Sequence, residues 1–278
     1  MHKKEKRCLR LGILGCGMMC QAAHFESALK ARNVELYAIC DVAEDLLDKM
    51  AGMYGCRKRY TSYKEMLEDK EIEAVLIGIG DQFHASCARR ALLAGKHVFV
   101  EKPMGVTVEE CQEMERLVEK TGLTLQVGFM KRFDEGIQFS RRFIREEIGE
   151  VLTVKAWYCD GTSRYKLTDN VQPYIFTSSH SRKPEGNPKA NRENYYLLGH
   201  SSHLFDTVRY LLGEIISVEA RLVHKEDMYS WIILAELAGG NSRYAADVTA
   251  AMRAMKAVYD SVHQGGRKIH LKDVRGGL

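Results

Sequence analysis

The order of apolar segments in the first half of the chain limits the possible folds most strongly. Between residues 9 and 127, short apolar runs alternate with stretches of helical periodicity. We predict strands at 9–15, 34–40, 73–79, 97–100 and 123–127, with helices between them. The runs are nearly continuous rather than alternating, which is typical of strands covered on both faces. Residues 1–125 are therefore predicted to form an α/β domain, a doubly wound parallel sheet with right-handed crossovers.

The pattern changes in the second half of the chain. The segment 159–194 is long and polar, and a loop of this length in a compact protein is usually functional or flexible. Around it we predict helices at 133–147, 195–212 and 245–262, and strands at 151–158, 216–223, 229–237 and 268–271. Residues 126–278 are therefore predicted to form an α+β domain.

Composition excludes several classes of protein. A net charge of +4 over 278 residues does not indicate nucleic-acid binding. No stretch is long and apolar enough to cross a bilayer, and the basic start followed by an apolar run fits a strand better than a secretory signal because Arg10 interrupts it. The eight cysteines contain no C-x-x-C pair, which is typical of a reduced, cytoplasmic protein.

A glycine motif follows the first predicted strand and opens the first helix. In such a motif Gly15 permits a tight turn, and Gly17 lets the backbone approach a pyrophosphate. The phosphates would rest on the helix N-terminus, beside Met18 and Met19. Cys20 takes the third glycine position. The alternative is a glycine turn in a sheet that binds no nucleotide.

The second predicted strand ends in an acid, Asp41, about twenty residues after the glycine motif. An aspartate at this place accepts hydrogen bonds from the adenosine ribose hydroxyls. Its negative charge would repel a 2′-phosphate. The motif therefore predicts a dinucleotide site that prefers NAD to NADP.

A pair of charges, Glu101 and Lys102, follows the strand at 97–100 and precedes Pro103. Ligands of open parallel sheets bind outside the carboxyl ends of the strands, where this pair is predicted to lie. A surface ion pair is the alternative interpretation.

His200, His203 and Asp206 are spaced by three residues within a predicted helix and so share one of its faces. This face is suited to binding a polar substrate and moving a proton. A metal site or an ordinary polar helix surface are the alternatives, and a metal is disfavoured because no fourth ligand is evident.

Several short motifs resemble one enzyme family when they are taken in order. They are Gly15-Cys16-Gly17, Asp41, Ala94-Gly95-Lys96-His97-Val98, Glu101-Lys102-Pro103, Val127-Gly128-Phe129 with Arg132-Phe133, and His203 with Asp206 and Gly213. Together they resemble the glucose–fructose oxidoreductase/inositol dehydrogenase (Gfo/Idh/MocA) family. This resemblance implies a Rossmann domain followed by an α+β substrate domain. It also implies NAD(P)-dependent oxidation or reduction of a sugar, inositol or related polyol.

The resemblance also assigns roles to individual residues. Lys102 would be the active-site lysine and His203 the proton acceptor, with Lys102 contacting both substrate and cofactor. We expect substrate contacts from Arg132, His200 and Asp206. The expected cofactor-binding residues are Gly15, Gly17, Met18, Met19, Asp41, Ile79, Gly80, His84, Glu101 and Lys102.

Two departures from the family pattern leave the function open. Gly199 replaces an aspartate that many of the sugar dehydrogenases carry four residues before the histidine, and the second-domain sheet is predicted to be shortened. That sheet is where a homo-oligomer would form. The two departures motivate one alternative to a dehydrogenase, a dinucleotide-binding protein without turnover. An NAD-recycling glycosidase or lyase is a second alternative.

Overall fold

A computed structural model of the protein describes residues 7–159, 175–181, 191–226, 228–238 and 247–277. These residues fall into two compact units. The first unit comprises the chain up to Glu101 together with residues 116–126 and 175–181. The second comprises residues 102–115, 127–159 and the described residues from 191 onward.

The first unit is built on a six-stranded sheet in the order β3-β2-β1-β4-β5-β6. Its strands are β1 (Leu9–Leu14), β2 (Val34–Cys40), β3 (Lys58–Tyr60), β4 (Ala74–Ile77), β5 (His97–Val100) and β6 (Leu125–Val127). The pairs β1–β2, β1–β4, β2–β3 and β4–β5 are parallel. Strand order reverses between β1 and β4, which confirms the predicted doubly wound sheet.

Helices connect the strands as the alternating pattern predicts. A π-helical turn (Cys20–His24) leads into α1 (Phe25–Lys30), and the others are α2 (Glu44–Tyr54), α3 (Tyr63–Glu68), α4 (His84–Leu93) and α5 (Val108–Thr121). Ile13 in β1, Ile39 in β2 and Ile77 in β4 are fully buried. The near-continuous apolar strands therefore form a core protected on both faces of the sheet.

The second unit contains a smaller antiparallel sheet in the order β8-β7-β9. Its strands are β7 (Ile215–Lys225), β8 (Met228–Leu237) and β9 (Ile269–His270). Its helices are α6 (Glu135–Phe143), continued by a π-helical turn (Ile144–Ile148), then α7 (Arg192–Tyr196), a second π-helical turn (Leu197–Ser201), α8 (Ser202–Leu212) and α9 (Asp247–His263). Helix α9 packs on one face of β7. On the other face Val223, Ile232 and Leu234 are exposed.

The strand predicted at 151–158 is wrong, because these residues form neither strand nor helix. Alternating hydrophobicity describes which face a strand would bury, but a strand persists only when a neighbour completes its hydrogen bonds. Leu152 and Trp157 are 91% and 80% exposed. Most of the polar segment 159–194 lies outside the described residues.

Candidate functional site

The first glycine turn begins where β1 ends. Gly15 has φ +105°, and its amide donates to the Cys40 carbonyl at 2.8 Å. A Cβ at this position would lie 2.6 Å from the Gly78 carbonyl oxygen and 2.8 Å from Cγ2 of Ile79. Both the backbone conformation and the close approach of the next strand therefore require glycine here.

Packing does not explain the second glycine. A Cβ on Gly17 would meet no atom within 4 Å, and Gly17 is exposed. The adjoining Met18 and Met19 are 61% and 44% exposed. A helix begins at this point, so its first amides face outward without intrahelical acceptors. This accessible backbone fits a phosphate-bearing ligand that approaches closely.

Cys20 occupies the third glycine position of the motif, and Gly78 provides the space that this larger residue needs. Cys20 is fully buried, and its thiol donates to the Gly78 carbonyl at 3.5 Å. A Cβ at position 78 would overlap the Cys20 sulfur. The space that a glycine normally provides on the helix is thus provided by Gly78 just after β4. The sequence reveals the cysteine in the motif, but it does not reveal that Gly78 is its partner.

Asp41 ties the glycine turn to the end of β2. Its Oδ2 accepts from the Cys16 amide at 2.7 Å, and its Oδ1 accepts from the Ala43 amide at 2.9 Å. Each carboxylate oxygen has a further acceptor site, so these bonds leave capacity for a hydroxyl. Burial raises the pKa of the Cys16 thiol, and the negative Asp41 raises it further, so this thiol stays neutral.

The loop after β4 holds three other predicted cofactor-binding residues. Ile79 is half-buried and Gly80 is exposed. His84 opens α4, is 1% exposed, and has Nε2 3.1 Å from the Ile79 carbonyl oxygen. The buried His84 side chain therefore fixes the loop at the Ile79 carbonyl.

Glu101 has a buried partner that the sequence did not reveal. Its Oε1 lies 2.8 Å from Nε2 of His24, and the two side chains are 14% and 10% exposed. The two residues are 77 positions apart, and only the fold brings them together. Glu101 is thus part of a buried pair and not a solvated surface charge.

Residues 175–181, from the long polar segment, belong to the first unit. The buried side chain of Gln21 pairs with both backbone groups of Phe176: its Nε2 donates to the carbonyl at 3.0 Å, and its Oε1 accepts from the amide at 2.9 Å. The same Nε2 donates to the Cys16 carbonyl at 2.7 Å. This part of the segment is therefore bonded to a residue that supports the glycine turn.

In the second unit, Lys102 is held by a backbone carbonyl. Its Nζ donates to the Gly199 oxygen at 3.0 Å. Gly199 lies in the π-helical turn before α8, and a Cβ there would meet only Cε2 of Tyr195, at 3.9 Å. One acceptor for the lysine is thus a neutral backbone carbonyl, that of Gly199.

The two histidines have different surroundings. His200 lies among tyrosine rings, with centroid distances of 5.8 Å to each of Tyr158, Tyr195 and Tyr196. His203 is half-buried in the first turn of α8. Along the sequence, both histidines lie within four residues of Gly199, whose carbonyl accepts from Lys102.

Arg132 and Asp206 bind each other. Nε of Arg132 donates to Oδ2 of Asp206 at 2.9 Å, and a terminal guanidinium nitrogen donates to Oδ1 at 2.6 Å. Asp206 is 1% exposed and the arginine side chain 11% exposed. The two charges balance in a bidentate pair, which anchors α8 to the turn after β6.

No group of three or more histidine, cysteine or acidic side chains with the geometry of a metal site occurs among the described residues. Within the same residues, no helix is long and apolar enough to cross a membrane.

Comparison with known proteins agrees with the observed fold. Residues 9–129 match the family described as an oxidoreductase family with an NAD-binding Rossmann fold, Gfo/Idh/MocA. An inositol 2-dehydrogenase of Salmonella typhimurium is 37% identical over 152 residues, which cover 52% of this chain and 44% of that protein. A myo-inositol 2-dehydrogenase of Thermotoga maritima is 32% identical over 130 residues, which cover 47% of this chain and 39% of that protein. The chain thus spans less than half the length of these relatives.

A crystal structure of scyllo-inositol dehydrogenase from Lactobacillus casei, with bound NAD(H) and scyllo-inositol, superimposes with a TM-score of 0.73. It covers 96% of this chain and 100% of that one at 17% identity. At this identity the likeness establishes the fold alone.

Proposed function

Because residues 9–129 belong to the Gfo/Idh/MocA oxidoreductase family, we propose that this chain is an NAD-dependent oxidoreductase. It transfers a hydride between nicotinamide and a hydroxyl-bearing carbon of inositol or a related polyol or sugar. The observation that carries this proposal is the glycine turn closed by Asp41, with Gly17 open where a pyrophosphate would approach.

The cofactor is held by the first unit. Gly17, Met18 and Met19 offer helix amides to the pyrophosphate. The Asp41 carboxylate accepts hydrogen bonds from the ribose hydroxyls, and its negative charge disfavours a 2′-phosphate, so NAD is preferred to NADP. The backbone of Ile79 and Gly80, supported by His84, together with Glu101, completes the cofactor-binding set.

NAD, when bound, supplies the hydride acceptor. The proton is handled by Lys102, which hydrogen-bonds the reacting hydroxyl, and by His203, which accepts the proton as the carbon is oxidised. The Gly199 carbonyl orients the Lys102 ammonium. Lys102 follows the cofactor-binding Glu101 directly in the chain.

Substrate recognition is proposed for His200, Arg132 and Asp206. His200 and its surrounding tyrosines offer aromatic faces that suit the C–H surfaces of a cyclitol ring. Arg132 and Asp206 bind each other, and we propose that this pair supports substrate recognition by fixing α8, the helix that carries His203.

The assay is formation of NADH from NAD with a panel that includes myo-inositol, scyllo-inositol and glucose. NADH formation with at least one polyol supports the proposal, and no binding of NAD by calorimetry contradicts it. Lys102 donates to a neutral carbonyl, that of Gly199, and two other functions are therefore tested in the same assay. Product release without net NADH identifies an NAD-recycling glycosidase or lyase. NAD binding without any turnover identifies a non-catalytic binding protein.

We further propose a homo-oligomer through the second-unit sheet and a cytoplasmic location. Val223, Ile232 and Leu234 are each more than 60% exposed on the face of β7 and β8 that α9 leaves uncovered. Apolar side chains grouped in this way are typical of an interface. Light scattering should give a mass above the 31.6 kDa monomer, and Ile232→Lys should reduce it to the monomer.

A further inference from the structure

Glu101 is an acid held inside the first unit. With both side chains less than 15% exposed, the 2.8 Å contact between Glu101 and His24 is shielded from water. When Glu101 is ionised, its carboxylate only accepts hydrogen bonds, and Nε2–H of His24 is then the donor. A charge-assisted bond in such surroundings is stronger than one at the surface.

The position of His24 follows from the helix that carries it. His24 is the last residue of the π-helical turn that starts at Cys20, the third position of the glycine motif. π-Turns are rare and frequently occur at functional sites. The Phe99 ring, in β5, packs against the imidazole in a T-shaped arrangement with the ring centroids 5.7 Å apart, which restricts the orientation of the imidazole.

The backbone of Glu101 is also fixed, because its amide donates to the Ile77 carbonyl at 3.0 Å. Its side chain and its backbone are thus held by two different elements, the π-turn and β4. If the imidazole were removed, a buried carboxylate would lose a partner and would turn toward water, moving the end of β5. The next residue along the chain is Lys102.

We infer that His24 is a positioning residue for the reaction: it fixes Glu101 and thereby the strand end from which the Lys102 backbone starts. This inference rests on the proposed function. A displacement of about 1 Å at a reacting group can cost on the order of 100-fold in rate. A positioning defect at this strand end lowers kcat more than it weakens nucleotide binding.

The test compares four variants of the full chain with the unaltered protein: His24→Leu, His24→Gln, Glu101→Gln, and His24→Leu combined with Glu101→Gln. His24→Leu should lower kcat at least ~10-fold, and the NAD Kd should change by a smaller factor because Glu101 is only one of the proposed cofactor contacts. His24→Gln keeps a donor and should recover turnover to within about threefold of the unaltered protein. The double variant should be no slower than the slower single variant, since both changes break one contact. His270→Leu, at an exposed position, is the matched control and should change nothing.

Thermal unfolding establishes that each variant is folded, and His24→Asn, whose shorter amide does not reach Glu101, replaces His24→Leu if the latter does not fold. A folded His24→Leu or His24→Asn variant with unchanged kcat overturns the inference. The inference is also overturned if the loss of kcat in the double variant equals the product of the losses in the two single variants. A loss confined to NAD affinity overturns it as well. An unaltered chain that forms no NADH contradicts the proposed function itself, and with it removes the reaction that His24 is inferred to serve.

Discussion

The sulfur of Cys20 fills the space into which any side chain at Gly78 would project. The contact joins the first helix to the strand end beside it, and it permits a cysteine where a dinucleotide motif usually has its third glycine. The two positions are complementary: residue 78 must be glycine because Cys20 carries a side chain.

Gly78→Ala should therefore destabilise the protein by about 1–3 kcal/mol through overpacking. Combining it with Cys20→Ala should recover most of that loss, because the overlapping sulfur is gone and alanine suits the helical turn. Urea unfolding measures both variants. Gly52→Ala is the control: its Cβ would meet no atom within 4 Å, and within α2 alanine should stabilise by a few tenths of a kcal/mol to about 1 kcal/mol. A Gly78→Ala variant as stable as the control would show that the packing here is loose.

The first two glycines of the motif should fail in different ways. Gly15→Ala forces a Cβ against the Gly78 carbonyl at a positive φ, so it should cost about 3 kcal/mol of unfolding free energy. Gly17→Ala should change stability by less than ~0.5 kcal/mol and lower NAD affinity at least ~10-fold, since the added methyl lies where the pyrophosphate approaches. Calorimetry with NAD and urea unfolding separate the two effects. Full NAD affinity in Gly17→Ala would place the nucleotide elsewhere.

Asp69 predicts a pH dependence of stability. Burial alone would raise the pKa of its carboxyl, but hydrogen bonds from Lys58 and Tyr60 and from the Glu71 amide outweigh this and lower the pKa to about 2. The unfolded value is about 3.9. A folded pKa below the unfolded one stabilises the protein above about pH 5, and this stabilisation is lost as the pH falls toward 2.

Asp69→Asn should therefore cost about 1 kcal/mol at neutral pH and nothing near pH 2. The measurement is the free energy of unfolding of both proteins between these values of pH. Glu68→Gln, which alters an exposed neighbour, should show a difference that does not follow this window. A difference that grows as the pH falls would contradict the sign.

The Arg132–Asp206 pair should be sensitive to loss of either charge. Asp206→Asn leaves a nearly buried guanidinium without its balancing carboxylate, and we expect a loss of about 3 kcal/mol. Lys64→Ala, which breaks an exposed ion pair with Glu68 at 3.7 Å, should cost less than ~0.5 kcal/mol. Urea unfolding compares the two, and equal effects would mean that the Arg132 pair is solvated.

Local sequence patterns were sufficient for most of the first unit. The apolar runs that became β1, β2, β4 and β5 carry their own burial signal, and the glycine motif lies where a strand meets a helix. The strand β3 was not predicted because Lys-Arg-Tyr at a sheet edge has no apolar run to reveal it. Residues 151–158 carry an alternating pattern but no paired strand.

The remaining features could not be predicted because they depend on distant parts of the chain. Cys20 meets Gly78 across 58 residues, His24 meets Glu101 across 77, and Gln21 meets Phe176 across 155. Lys102 donates to a backbone carbonyl, a group that every residue carries and no motif distinguishes.

Turnover of the Lys102→Met variant tests the central proposal most directly. NADH formation is followed with the polyol that the unaltered protein oxidises fastest, NAD affinity is measured by calorimetry, and Lys64→Met serves as the control at an exposed lysine. We predict that Lys102→Met lowers kcat at least ~100-fold while the NAD Kd stays within about threefold. Unchanged turnover in Lys102→Met would contradict the assignment of Lys102 to the reacting hydroxyl and the proposed mechanism with it.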